Sequence, residues 1–305
     1  MELEDLESDH FSAKIFYVLR KIGGIVSFQQ KENHRICYVP PFAGIWSKVL
    51  EKKFYHRLCE ILYQQSVQKI VLSQNLQKNK KLVNLLEGEN YTILHGQELF
   101  QALIFEVLNY IARTRNEDSS SYEVTLLMNQ CNPEREKLIV KLAKEVQTLH
   151  IVTLHVERFH LIQHQLLEQY GIYIRLSNHK KKSLWQAGLI FNFDFPEEIL
   201  NTFHLKEQAI LIQLGGKVNI TKKRFQGYNV QDYGISIPLA MQEKLEAENL
   251  GKQFKLNELY EGIWLANGNT WTNWEAISED KIKIQYLIGK NGILTKNAIK
   301  SIDKI

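Results

Sequence analysis

Polar side chains collect where short apolar runs end. Asn129, Gln130 and Asn132 follow the run Glu123–Met128, and Glu157 and Arg158 follow Leu149–His155. Ser177, Asn178 and His179 follow Ile172–Leu176, Asn192 and Asp194 end Leu189–Phe193, and Gly215 and Gly216 end Gln208–Leu214. Asn192 and Asp194 carry the groups to meet a ribose or an amide. Gly215-Gly216 lacks a Cβ and lets a ligand approach the backbone. Two basic triplets, Lys180-Lys181-Lys182 and Lys222-Lys223-Arg224, have the charge to hold a phosphate or a carboxylate. Each of these residue types also serves ordinary turns. Their recurrence at successive run ends makes them a candidate set.

Other chemistry is less well provided for. His160 and His164 stand four apart with Glu168 one turn on, but the His-Glu-x-x-His pattern of a zinc helix is missing, and no metal is expected. There is no Gly-x-Ser-x-Gly elbow and no Gly-x-x-x-x-Gly-Lys-Ser/Thr loop. Trp264, Trp271 and Trp274 surround Asn267-Gly268-Asn269; such aromatics form a ligand platform, a subunit contact or, most often, a packing plug. The stretch Pro40-Pro41-Phe42-Ala43-Gly44 in the first half is a candidate interdomain loop.

The elements that must position these residues follow from periodicity. Residues 10–22 have helical spacing, with Gly23-Gly24 as a stop. Short strands are predicted at Gly24–Phe28 and Arg35–Val39, and a helix over 45–63. Next come a strand Lys69–Leu72, a helix Gln77–Leu86, a strand Tyr91–Leu94 and a long helix Gln97–Ala112. The polar stretch Asn116–Ser121 is the linker candidate. After it, strands at Glu123–Met128, Leu149–His155, Ile172–Leu176, Leu189–Phe193 and Gln208–Leu214 alternate with helices at Pro133–Gln147, Glu157–Tyr170, Lys181–Ala187 and Pro196–Phe203. That alternation predicts an α/β fold with a doubly wound, Rossmann-like parallel sheet. Beyond it, helices are expected over Leu239–Leu250 and Leu256–Leu265 and a strand over Lys281–Ile288. The expected division is an N-terminal α/β domain over 1–115, a Rossmann-like domain over 122–215 and an extension over 216–305 packing back on both.

Three segments carry a resemblance at the level of pattern. They are VTLLMNQCNPEREKLIVKLAKEV, IVTLHVERFHLIQHQLLE and QAGLIFNFDFP. Together they resemble the NAD(P)-binding domain of the shikimate dehydrogenase and glutamyl-tRNA reductase type, over about a third of the chain. The resemblance implies a dinucleotide cofactor at the strand ends. The turn after the first strand departs from it: Asn129-Gln130-Cys131-Asn132-Pro133-Glu134 has no glycine. Glycines there let the backbone reach a pyrophosphate at the helix N-terminus. Glu134 puts negative charge at that place, which suits the helix dipole and repels phosphate. NAD(P) is therefore not the favoured ligand, and no catalytic residue is carried over.

Composition bounds the function class. The 305 residues are 44% apolar and 24% charged, enough to bury a core, with a formal net charge of only +4. That charge is too small to argue for nucleic acid or a membrane surface. Three separated cysteines fit a reducing compartment, and five carboxylates among the first ten residues are the reverse of a signal peptide. No apolar run reaches the roughly 20 residues of a spanning helix, so the expected location is the cytoplasm. The function expected is a non-catalytic or divergent binder of a nucleotide-like or anionic small molecule at the strand ends. A divergent NAD(P)-dependent oxidoreductase and a structural or accessory subunit remain the alternatives. The sequence commits neither to catalysis nor to an oligomeric state.

Overall fold

The computed structural model describes residues 2–5, 27–30, 35–39, 47–64, 66–178, 181–221, 225–247 and 250–300. The helix expected over 10–22, its glycine stop, the 40–44 loop, His179, Lys180 and the 222–224 triplet lie outside the described residues. The chain forms two compact units, Met1–Gly96 with Leu239–Asn269 and Gln97–Pro238 with Thr270–Ile305.

In the first unit, strands β1 (Glu2–Asp5), β2 (Ser27–Gln30), β3 (Arg35–Val39), β4 (Lys69–Leu72) and β5 (Thr92–Ile93) form a sheet in the order β2-β3-β1-β4-β5. All pairs are parallel except β2 with β3. Helices Ser47–Gln64 and Lys80–Gly88 cover β4 and β5, burying Leu58, Leu62, Leu82 and Leu86 against Ile70, Leu72 and Ile93. Ser73 and Asn79 cap the two short helices after β4 by accepting from the N–H groups of Leu76 and Leu82. These caps split the helix expected over Gln77–Leu86. The helix Leu256–Ala266 approaches β4 closely because Gly262 has no Cβ; one would stand 2.7 Å from Val71.

In the second unit the strands are β6 (Glu123–Leu127), β7 (Thr148–Thr153), β8 (Arg175–Asn178), β9 (Leu189–Asn192), β10 (Ile210–Gln213), β11 (Tyr228–Ser236), β12 (Lys283–Gly289) and β13 (Gly292–Ile293). They lie in the order β13-β12-β11-β10-β9-β6-β7-β8. The run from β8 to β11 is parallel throughout. Counted in chain order its strands are third, second, first, fourth, fifth and sixth, the doubly wound arrangement. The order reverses between β6 and β9, where two crossovers leave in opposite directions. β12 and β13 add antiparallel pairs.

Several elements differ from the sequence expectation for identifiable reasons. Residues 181–187 form turns and no helix, since Leu184 alone is buried there and no apolar stripe exists to dock a helix. β11 was not anticipated, because bulges at Val230/Asp232 and Gly234/Ile235 interrupt its alternation. The helix expected over Gln97–Ala112 breaks at Leu103 and runs on to Arg115, where Asn116 stops it in the left-handed conformation at φ 58°. Asp118 then caps a single turn over Ser119–Ser121, so the polar stretch 116–121 is an ordered corner. Helix Ile104–Arg115 packs on β12 and on helix Lys296–Lys300, which places it in the second unit.

Candidate functional site

The switch between β6 and β9 sets the C-terminal ends of these strands side by side, with Leu127 in register with Asn192. Open α/β sheets offer a ligand crevice at that position. Two residues beyond the pair, the Asp194 carboxylate turns back over the end of β6. The backbone N–H of Asn129 donates to both of its oxygens at 2.9 and 3.0 Å, and that of Gln130 to one at 3.2 Å. The Asn129 Oδ1 accepts from the Leu154 N–H at 2.8 Å. Asn129 therefore ties together the ends of β6, β7 and β9. The amides that would face a pyrophosphate in a glycine-bearing turn are filled by the protein's own carboxylate.

Burial pushes the Asp194 carboxyl above its usual range, opposed by the amides of Asn129 and Gln130 and by the charge of Arg135. Asn132 caps helix Pro133–Glu145, accepting from the Arg135 N–H at 2.9 Å, with Pro133 in the first turn. Glu134 and Glu136 complement the helix dipole. The Cys131 thiol is pushed up to about 11 by burial and by Glu136, so it is no thiolate nucleophile at neutral pH.

Arg135 is the unusual member. Its side chain is only 9% exposed. The guanidinium lies between two rings, 4.1 Å from the centroid of Phe193 and 4.6 Å from that of Trp271. Nη2 makes a long hydrogen bond of 3.4 Å to Gln101 Oε1, and Gln101 in turn donates to the Leu214 carbonyl. Nη1 is buried and meets no partner among the described residues. Burial pulls its pKa down to about 10, opposed by Asp194, and it stays charged at neutral pH. Sequence reading passed over Arg135, Gln101 and Phe193, and singled out Trp271 only within an aromatic trio, without linking it to the strand ends. The available signal was an arginine in the first helical turn after the first strand, together with an aromatic residue beside Asp194.

The remaining candidates have separate settings. Asn192 is buried, and its amide is committed to Phe195 and to Gln213, which continues to Asn229 and the Val218 carbonyl. Gly215 is a close-approach residue, since a Cβ there would stand 1.6 Å from the Phe193 carbonyl oxygen. Gly216 follows at φ 144°, where a Cβ would meet Gln97 Nε2 at 3.9 Å. Glu157 and Arg158 are exposed in the turn Val156–Phe159 after β7. Ser177 bonds His150 at 2.5 Å. Lys181 is exposed, and Lys182 lines a cleft with Glu123 and Thr148, the first residues of β6 and β7, at the strand ends opposite Asp194. His160, His164 and Glu168 are exposed on helix His160–Tyr170. Trp264 is buried in the first unit, whereas Trp271 and Trp274 meet edge to face in the second. No helix among the described residues is long and apolar enough to cross a membrane.

No protein-family model and no curated protein matches this chain. Among solved structures, a putative aspartate carbamoyltransferase from Leishmania major is 10% identical, with 70% of this chain and 71% of that chain covered at a TM-score of 0.27. L-tryptophan dehydrogenase from Nostoc punctiforme is 9% identical, with 81% and 75% covered at 0.30. Delta(1)-pyrroline-2-carboxylate reductase from Thermococcus litoralis, solved with NADH and L-proline, is 6% identical, with 38% and 40% covered at 0.25. Such distant likenesses define no family and no ligand for this chain. Its α/β class rests on its own strand order.

Proposed function

We propose that the protein binds an anionic small molecule at the C-terminal ends of β6 and β9, with Arg135 as the charged contact. The observation that supports this reading is the buried guanidinium held between Phe193 and Trp271 with Nη1 unpartnered. A buried charge lacking a full set of partners costs several kcal/mol. A ligand carboxylate or phosphate at Nη1 would offset that cost and be gripped in return. The rings fix the plane of the fork, and because Nη1 is out of solvent contact its covering side chains must part to admit the anion.

NAD(P) held through a glycine turn is disfavoured, because Asp194 already accepts from the amides of Asn129 and Gln130. The divergent oxidoreductase is retained as a second reading only on the doubly wound strand order.

Thermal unfolding with a panel of small carboxylates, phosphate esters and the four nicotinamide dinucleotides tests the proposal. A ligand at a hundred times its dissociation constant stabilises by about 2.7 kcal/mol, a shift of a few degrees. That shift is expected for an anion with the wild-type chain and is expected to vanish in Arg135→Met. Without ligand, Arg135→Met should be no less stable than wild type, since an apolar chain of similar length replaces an under-paired charge. Stabilisation that survives Arg135→Met would sink the proposed site. Stabilisation by a dinucleotide that strengthens in Asp194→Ala would replace it with the oxidoreductase reading.

A further inference from the structure

One face of the β6–β8 sheet changes character along its length. At the C-terminal half Leu127 and Val152 join a core with Leu184, Ile190 and Phe195. Two residues back along the same face stand Thr125 and His150, which are in register, then Glu123 and Thr148, with Arg175 beside His150 on β8. Strands of a parallel sheet covered by helices read as continuous apolar runs, and these residues break that rule. The reason lies in the β8–β9 connection. Its turns over 181–187 put Leu184 on the apolar half and lay Lys182, Ser183, Trp185 and Gln186 along the polar half. Between them is a cleft of about 280 Å³, at the lower end of the roughly 300–1,000 Å³ typical of small-molecule sites.

The charges of this cleft are unbalanced. Among the described residues neither Arg175 nor Lys182 pairs with a carboxylate, and Glu123 is the sole acid in the lining. Arg175 lies close enough to His150 to depress it, after the larger effect of burial, to about 4. His150 is thus neutral at neutral pH and holds Ser177 by a short hydrogen bond. The positive charge of the cleft is that of Arg175 and Lys182. Thr125 and Thr148 bring hydroxyls to the same lining, the Ser183 hydroxyl donates to the Asn178 carbonyl at 2.9 Å, and Trp185, 58% exposed, extends its ring beside Lys182 Nζ at 5.5 Å.

We propose that this cleft is a second binding site, for a phosphate monoester whose phosphate meets Arg175 and Lys182 and whose ring lies on Trp185. Two cations of different geometry with several hydroxyls suit the three terminal oxygens of a phosphate better than the two of a carboxylate. An exposed indole offers a flat face to a sugar or a base.

The test is calorimetric titration of the full chain with inorganic phosphate, ribose 5-phosphate and adenosine monophosphate at matched ionic strength. Saturable binding of at least one is expected. Arg175→Met and Lys182→Met should each weaken it tenfold or more when measured in a chain that also carries Arg135→Met, which removes the other proposed anion contact and so separates the two sites. Trp185→Ala should weaken adenosine monophosphate and leave inorganic phosphate as it was. Because Arg175, Lys182 and Trp185 are exposed, unchanged ligand-free melting is expected to show that the variants at these three positions fold. As a second readout, the His150 imidazole resonances should move on binding. Binding of inorganic phosphate alone would support the phosphate contact and remove the ring contact. No binding to 5 millimolar (about ten times the weakest affinity expected of a charged pair with hydroxyls), or binding indifferent to both Arg175→Met and Lys182→Met, would overturn the proposal.

Discussion

His150 couples the protein to acid. Its imidazole is depressed from 6.5 to about 4, first by burial and then by Arg175. Above pH 6.5 both the folded and the unfolded chain carry it neutral, and it adds no pH dependence. As pH falls from about 6.5 to 4 the unfolded chain takes up a proton that the folded chain refuses. Stability then declines by up to about 1.4 kcal/mol per pH unit, about 3 kcal/mol in all. The raised carboxyl of Asp194 acts in the opposite sense, because its folded form holds a proton the unfolded chain has already lost. Urea unfolding of wild type and His150→Gln at pH 7, 5.5 and 4.5 separates the two. The variant should lose less stability on acidification, and equal losses would show that His150 titrates freely. None of this was legible in the sequence, where His150 is one polar residue within an apolar run. Its neutrality depends on burial within the sheet and on Arg175, brought to it by the pairing of β7 with β8.

Two glycines show how differently elements constrain the same residue type. A Cβ at Gly215 would fall 1.6 Å from the Phe193 carbonyl oxygen and 2.5 Å from its carbon, and neither backbone atom can swing aside. Gly215→Ala must part the ends of β9 and β10, at an expected loss of about 3 kcal/mol or more. At Gly88, the last residue of helix Lys80–Gly88, the Cβ of an alanine meets open space. Gly88→Ala should stabilise by up to about 1 kcal/mol through helix propensity and a less flexible unfolded chain. Chemical denaturation of both variants checks the contrast, and equal effects would contradict the strand-end geometry. The sequence placed Gly215-Gly216 at a strand end and suggested that a ligand approaches there. In the structure the group that approaches Gly215 is the protein's own backbone, a distinction that local pattern cannot make.

Each compact unit is assembled from two separated stretches of chain. In the second unit β12 covers the long edge of β11, and helix Lys296–Lys300 packs on helix Ile104–Arg115. A chain ending after Pro238 would keep the parallel strands but expose β11 as a nine-residue edge. Residues 97–238 alone are expected to aggregate on size exclusion and to lack a sharp melting transition, while 97–238 joined by a flexible linker to 270–305 should melt cooperatively. Equal behaviour of the two would show that β12 is dispensable. The alternation of strands and helices over 122–215 was legible, apart from the helix expected over Lys181–Ala187, because apolar periodicity acts within a few residues of itself. So was the missing glycine turn, since glycine's need at a tight backbone approach is local. Tertiary structure alone decided that β9 lies beside β6, that Asp194 fills the amides after β6, and that Arg135 sits between Phe193 and Trp271. It also decided that the basic Lys182 belongs to the opposite end of the sheet from Asp194. Those outcomes depend on which distant segments become neighbours, and a crossover's path is set by packing that no window of sequence contains.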